Sequence, residues 1–567
     1  MKQDKHRLNV VLMLIAFALL AGRATAADKY WNPTSGNGWN TGANWSPSGV
    51  PGGSDVAIFD GGTSSGDCLI DVNANAVGVL ITNAYAGTIT QGAGKTVTVG
   101  ASNYVQNAGT FAGGDTNIVV GGLFTLAGGT FTSTSGKLTL GPNNNDTFSV
   151  SGGTFNPNNG TVRVDLTAGA HIRSFPYSVS LYDLELINNH NTQVGAISIG
   201  TGQTVTVNRN FSELQSNGPI GIGGTGTLAV KGNITMNNTV SKPFGGAQGG
   251  LLLINGTGDQ TISANGNRPF PRIEINKTGG TLYLGSSTIE TVQEGFVYTA
   301  GTVDVGTSTF VFDVYGTSPT FAGNFTFYNL TIANAHYFAA GMTITGTPSW
   351  IVKNTLSMGG ANTGSIGLGG LTIQAQGDVT TQTSSGLGGT TFALTFTGSG
   401  PQTFTDNITG LNGIVKIDKS GGAVTLGANC SLIAAGQQLV WTNGALNLSS
   451  NTLTVAGAVT IYSGATTLGV TVADTNRAGR LTCSNTVSGL ANVGLEVSVT
   501  APKEQWPQIP AQTYTILSNT NVLAAPFEAV TWVGNWRGTV DYSANGGKNV
   551  TLSNVRSVAG GSVLMVQ

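Results

Sequence analysis

The chain has 567 residues, of which 85 are glycine and only 9% are charged, with a formal net charge of -2. So little charge supplies no cluster of Lys and Arg for nucleic acid or an anionic membrane, and 40% hydrophobic residues exclude an open, self-repelling chain. Collagen is excluded as well, because glycine does not recur at every third position and proline numbers only 17.

Residues 1–26 read as a signal peptide. Lys2, Lys5 and Arg7 precede the apolar run 10–21, and Ala24-Thr25-Ala26 supplies the small residues of a cleavage site. The run is about a dozen residues where roughly 20 are needed to cross a bilayer, so the mature chain is expected to begin near Ala27 with no membrane span. The expected location is secreted or cell-surface. Residues 27–75 follow as a Trp-rich N-terminal cap and first coils, with Trp31, Trp39 and Trp45 ahead of Asp55-Val56-Ala57-Ile58-Phe59.

Residues 76–181 alternate apolar and polar side chains, as in Lys95-Thr96-Val97-Thr98-Val99 and Lys137-Leu138-Thr139-Leu140, which predicts short strands with one buried face. No stretch outside residues 1–26 carries a helical stripe with caps. Gly109-Thr110-Phe111, Gly129-Thr130-Phe131 and Gly153-Thr154-Phe155 recur at 20 and 24 residues, the length of one coil of a β-solenoid. Stacked coils place these Phe rings in an interior ladder with a step of about 4.8 Å, and the preceding Gly turns the corner.

Residues 182–312 and 328–455 read as two copies of one longer repeat. Gly256-Thr257-Gly258-Asp259-Gln260-Thr261-Ile262 matches Gly398-Ser399-Gly400-Pro401-Gln402-Thr403-Phe404. At the same offset of 142, Ile273-Glu274-Ile275-Asn276-Lys277-Thr278-Gly279-Gly280 matches Val415-Lys416-Ile417-Asp418-Lys419-Ser420-Gly421-Gly422. Alternation predicts Ile275 and Ile417 inward, and Asn276 and Asp418 in solvent. Parity also points Lys277 and Lys419 inward, but the strands are expected to end at the Gly pairs, letting both ammonium groups reach water. Residues 456–567 close the chain as terminal coils and a C-terminal cap with Trp506, Tyr514, Phe527, Trp532 and Trp536. Bulky ends are read as covers over an open core and a free sheet edge; sugar stacking is the alternative use of the same residues.

The opening Trp31, Trp39, Asn44-Trp45, Pro51, Asp55 and Phe59, the Asn-Leu-Thr-Ile and Thr-Leu-Thr-Val strand repeats, and the closing 513–517 segment with Phe527 resemble bacterial surface proteins with autotransporter-associated β-strand repeats. The resemblance implies an all-β fold, a right-handed parallel β-helix (β-solenoid) with N- and C-terminal caps. It also implies a secreted or surface-displayed, adhesin-like role, mostly without known activity. That group's C-terminal translocator barrel has no counterpart in these residues.

Motifs for catalysis are at background. Gly62-Thr63-Ser64-Ser65-Gly66 fits the GxSxG elbow, which carries meaning only between a strand and a helix. Gly221-Ile222-Gly223-Gly224-Thr225-Gly226 fits GxGxxG, but at this glycine content about two chance matches are expected. His171, His190 and His336 are isolated, and Asn143-Asn144-Asn145-Asp146 reads as a turn. Cys68, Cys430 and Cys483 have no CxxC spacing, and a Cys430 to Cys483 bond stands as an alternative to ordinary packing positions. Asp183 and Glu185 share a strand face and are the nearest approach to a carboxylate pair, with a solvated edge as the plainer reading.

No catalytic, cofactor-binding or metal residue is therefore assigned, no cofactor is expected, and the chain is read as not an enzyme. The expected role is a structural or adhesin-like protein of the bacterial surface or extracellular matrix. Its expected partners are extracellular glycan or envelope and matrix components, without nucleic acid. The alternative is a carbohydrate-binding or polysaccharide-degrading β-helix protein.

Overall fold

Three short strands make one coil. Tyr104–Gln106, Thr110–Ala112 and Ile118–Val120 form one, and Phe124–Leu126, Thr130–Thr132 and Lys137–Leu140 form the next. Each strand pairs in parallel with its successor one coil on. The computed structural model repeats parallel stacking of this kind through the described residues as an all-β parallel β-helix. It describes residues 27–558 except 142–146, 167–171, 189–194, 215–219, 237–248, 293, 315–317, 335–339, 361–364, 383–385, 408–409 and 433–437. The signal-peptide reading, the three histidines and the Asn143–Asp146 turn lie outside the described residues.

The Gly-Thr-Phe repeat forms the interior ladder that its spacing predicts. Phe111 stands opposite Phe131, and Phe131 opposite Phe155, with ring centroids 5.0 and 5.7 Å apart and planes tilted by only 11° and 9°. Gly129 turns its corner at φ 74°, and a Cβ there would lie 2.3 Å from the Gly109 carbonyl oxygen, so only glycine fits. A second ladder escaped the sequence reading although it shares the same 20- and 24-residue steps: Tyr104, Phe124 and Phe148, 5.1 and 4.8 Å apart. The two ladders meet edge to face, Phe124 to Phe131 at 5.0 Å and 85°. Rings thus stack along the coils and cross at right angles between faces, the two arrangements that aromatic quadrupoles favour.

The chain divides into two compact units, one of residues up to Pro271 with Thr278–Gly280, the other of Arg272–Lys277 with Thr281 onward. This division falls inside the first long copy. In the first unit, Asp28–Trp31 pairs antiparallel with Trp45–Ser46 and parallel with Val56–Asp60. Trp31, Trp39 and Trp45 are at most 2% exposed and pack on Phe59. Trp45 Nε1 donates to the Trp39 carbonyl at 2.9 Å, and Trp31 Nε1 to that of Gly66 at 2.8 Å. Their faces are covered, so these rings cap the core and offer no platform to a sugar. In the second unit, Tyr514–Asn519 and Trp536–Asp541 both pair antiparallel with Asn549–Ser557, and Trp506 meets Trp536 at 5.1 Å.

Matched residues of the two copies hold matched registers. Leu184 pairs with Phe211 as Leu330 with Leu356, and Ile234 with Ile262 as Val379 with Phe404. Ile275 pairs with Tyr298 as Ile417 with Trp441, and the register slips immediately after both isoleucines. Ile275 and Ile417 are 1% and 2% exposed, Asp418 is exposed and Asn276 half-buried. The lysines overturn the expectation made for them. Arg272–Tyr283 and Leu411–Leu426 run straight through the Gly pairs, so parity carries Lys277 and Lys419 inside, each 2% exposed. Gly280 and Gly422, both at φ 63°, bend the strand without ending it.

Candidate functional site

Two matched glutamines inside the coils are occupied with backbone. Gln260 Nε2 donates to the carbonyls of Val230 at 3.1 Å and Gly232 at 2.6 Å, and its Oε1 accepts from the Gly256 N–H at 2.9 Å. Its counterpart Gln402 donates to Ala375 and Gly377 at 2.8 and 2.7 Å. The Gly-x-Gly-x-Gln-Thr motif is thus a corner staple: a buried amide satisfies carbonyls that the turn takes out of the ladder. The Lys419 ammonium donates to the Gly400 carbonyl at 2.8 Å and to Gln402 Oε1, and burial lowers its pKa from the ordinary 10.5.

The cysteines are packing residues. All three are buried and free, and Cys430 stands opposite Leu453 while Cys483 stands opposite Val455, so their thiols occupy different interior columns two coils apart. Burial raises the Cys68 and Cys430 thiols well above their ordinary range, which keeps them protonated and inert.

Asp183 and Glu185 do share the outward face of Asp183–Ile187. Each is closed by cations from neighbouring coils rather than left to solvent. Asp183 accepts from Arg209 Nε and from the Asn210 N–H, both at 2.9 Å, and the Arg209 guanidinium lies 4.7 Å over the Tyr182 ring. Glu185 accepts from Lys137 Nζ at 2.7 Å and Arg163 Nε at 2.9 Å, the parallel register placing Arg163 directly opposite it. Ser64, the centre of the GxSxG match, sits in a loop followed by the strand Cys68–Ile70, and its Oγ accepts the Gly66 N–H at 3.1 Å. The GxGxxG match begins within the strand Ile220–Gly224. Neither has the helix that its motif requires.

One arrangement had no sequence signal. A polar groove of about 440 Å³ in the second unit is lined by Asn429, Ser450, Thr452, residues 475–478, Arg480 and residues 512–515. Thr452 and Arg480 are register partners and both point outward. The 473–478 loop is fixed over them: Ala473 N–H donates to the Arg477 carbonyl at 2.8 Å, Thr475 N–H to Gln505 Oε1 at 3.0 Å, and Tyr514 Oη to the Asp474 carbonyl at 3.1 Å. Arg477 is mostly exposed, its Nε 3.5 Å from Asp474. Arg480 Nε is sealed from solvent and donates to nothing.

Fold and surfaces together define a class, an all-β solenoid whose interior amides staple corners and whose outward charges tie coil to coil. No family model matches the chain, and no curated protein matches it. Among solved structures it is similar to the crystal structure of the Haemophilus influenzae Hap adhesin, with a TM-score of 0.43 and 13% identity over 88% of this chain and 63% of that one. The chain spans less than two thirds of that structure's length. At so distant a likeness the fold stands on the strand registers given above. Among the described residues no group of His, Cys, Asp and Glu is placed to hold a metal ion, and no helix is long and apolar enough to cross a membrane.

Proposed function

We propose that the chain is an exported structural or adhesin-like β-helix protein of the bacterial surface or extracellular matrix, holding an extracellular partner without transforming it. The observation that carries this reading is the outward lattice. Thr88, Thr110, Thr130 and Thr154 occupy one column in register, and Asn75, Thr98, Val119, Thr139, Arg163 and Glu185 another. Over these coils the surface is fixed by ladders on both sides and presents mainly hydroxyls at the coil spacing, with Val119 and the Arg163 to Glu185 pair among them, which suits a polymeric ligand contacted weakly at many points. Export through residues 1–26 belongs to the same proposal.

A second reading, carbohydrate binding at a defined place, is favoured by the polar groove beside Arg480. The general proposal is tested by retention of purified residues 27–567 on immobilised glycans and matrix components. Saturable retention on at least one is expected. A folded chain that none retains contradicts it.

A further inference from the structure

The groove over Thr452 and Arg480 has the chemistry of a ligand site, and its parts are set before any ligand arrives. Its floor comes from two successive coils in parallel register, Thr452 opposite Arg480. One wall is the loop pinned by Gln505, Tyr514 and its own Ala473 to Arg477 bond, with Asn476 N–H held on Asp474 Oδ1 at 2.7 Å. The other wall is 512–515, whose Tyr514 is buried. Most of the ordering that binding would otherwise require is therefore already present.

The lining is asymmetric in charge. It carries two guanidinium groups, Arg477 and Arg480, and no carboxylate; Arg477 Nε lies 3.5 Å from Asp474 of its own loop. Some outward cations of this chain close on carboxylates, as Arg163 and Lys137 do on Glu185 and Arg209 on Asp183, and others on carbonyls, as Lys29 does on Pro47 and Ser48. Arg480 has a buried Nε with no acceptor. That Nε is sealed even from water, so a ligand in the groove would meet only the outer part of the Arg480 guanidinium. The remaining lining, Asn429, Ser450, Thr452, Asn476, Gln512 and Thr513, is hydroxyl and amide, groups that both donate and accept. Polyol hydroxyls need such partners, and a guanidinium fork matches the two oxygens of a carboxylate.

We propose that this groove binds an acidic saccharide, a uronate-containing oligomer whose carboxylate lies on Arg480 and Arg477 and whose hydroxyls meet the surrounding Thr, Ser and Asn side chains. The assignment deepens the carbohydrate-binding reading and rests on it for the nature of the ligand.

The experiment is calorimetric titration of residues 27–567 with oligogalacturonate, with its methyl ester, and with polyglutamate. The free acid is expected to bind, the ester at least tenfold more weakly, and polyglutamate no better than the ester. Arg480→Gln is expected to weaken the acid about tenfold or more, its melting curve recorded alongside to show that the variant folds. Arg477→Gln, on a mostly exposed side chain, keeps the test open if Arg480→Gln fails to fold. Equal binding of acid and ester, no heat from either, preference for polyglutamate, or variants that bind as the parent would each overturn the assignment. Retention on the immobilised panel is scored separately. A silent groove on a retained chain contradicts the groove alone, and a binding groove on an unretained chain contradicts the surface role alone.

Discussion

Phe131 is enclosed by four rings, Phe111, Phe155, Tyr104 and Phe124, at centroid distances between 5.0 and 5.7 Å. Coils fixed by ladders above and below cannot collapse into the space that its removal leaves. Phe131→Ala is expected to cost about 3–5 kcal/mol in denaturant unfolding, and a change within error would contradict the interior ladder. Glu294 makes a prediction of a different kind. Burial raises its pKa from 4.5 to about 7, opposed in part by the Arg272 guanidinium. The native state therefore binds more protons than the unfolded chain between those values, so stability falls as pH rises from about 4.5 through about 7. Glu294→Gln is expected to flatten that interval in pH-resolved thermal melts; an unchanged slope would contradict it. Residue-level legibility was uneven for a physical reason. Parity correctly pointed Lys277 and Lys419 inward, but a glycine pair looks the same in sequence whether it ends a strand or bends one. The acceptors that receive the Lys419 ammonium, Gly400 and Gln402, lie 17 to 19 residues away and nothing near the lysine announces them.

At the scale of elements, repetition was what the sequence exposed best. A strand that must stack on its copy repeats its residues at the coil length, so Gly-Thr-Phe and the 142-residue offset were both visible and both correspond to matched registers. Gly280 and Gly422 hold the same φ of 63°, and a Cβ would lie 2.2 Å from the Gly258 carbonyl carbon and 2.5 Å from the Gly400 oxygen respectively. Gly280→Ala and Gly422→Ala are each expected to destabilise by about 1–3 kcal/mol and by similar amounts, measured by thermal unfolding. A large cost at one and none at the other would contradict the equivalence of the copies. Convergence was illegible. The groove gathers residues from four stretches between Asn429 and Thr515, each unremarkable alone, and only the pairing of coils with the pinned 473–478 loop brings them together. The caps fall between these cases. Clustered Trp residues marked the ends, whereas the Asn44 side chain that accepts from Thr34 and Ser35 N–H at 3.0 and 2.9 Å left no pattern.

For the whole molecule, the role proposed above requires that the solenoid retain what it touches and leave it intact. Its carboxylates at Asp183 and Glu185 are engaged by Arg209, Lys137 and Arg163, and its polar groove is lined by cations, hydroxyls and amides. Adhesion by a repeating lattice also makes retention depend on the length of the ligand, since many weak contacts add along a polymer. The most direct measurement is the mass distribution of a polysaccharide recovered from its complex with residues 27–567 after prolonged incubation. The account predicts retained polymer of unchanged length, with no new reducing or unsaturated ends. Shortened or unsaturated chains that accumulate in proportion to protein would contradict it and make this a polysaccharide-degrading enzyme.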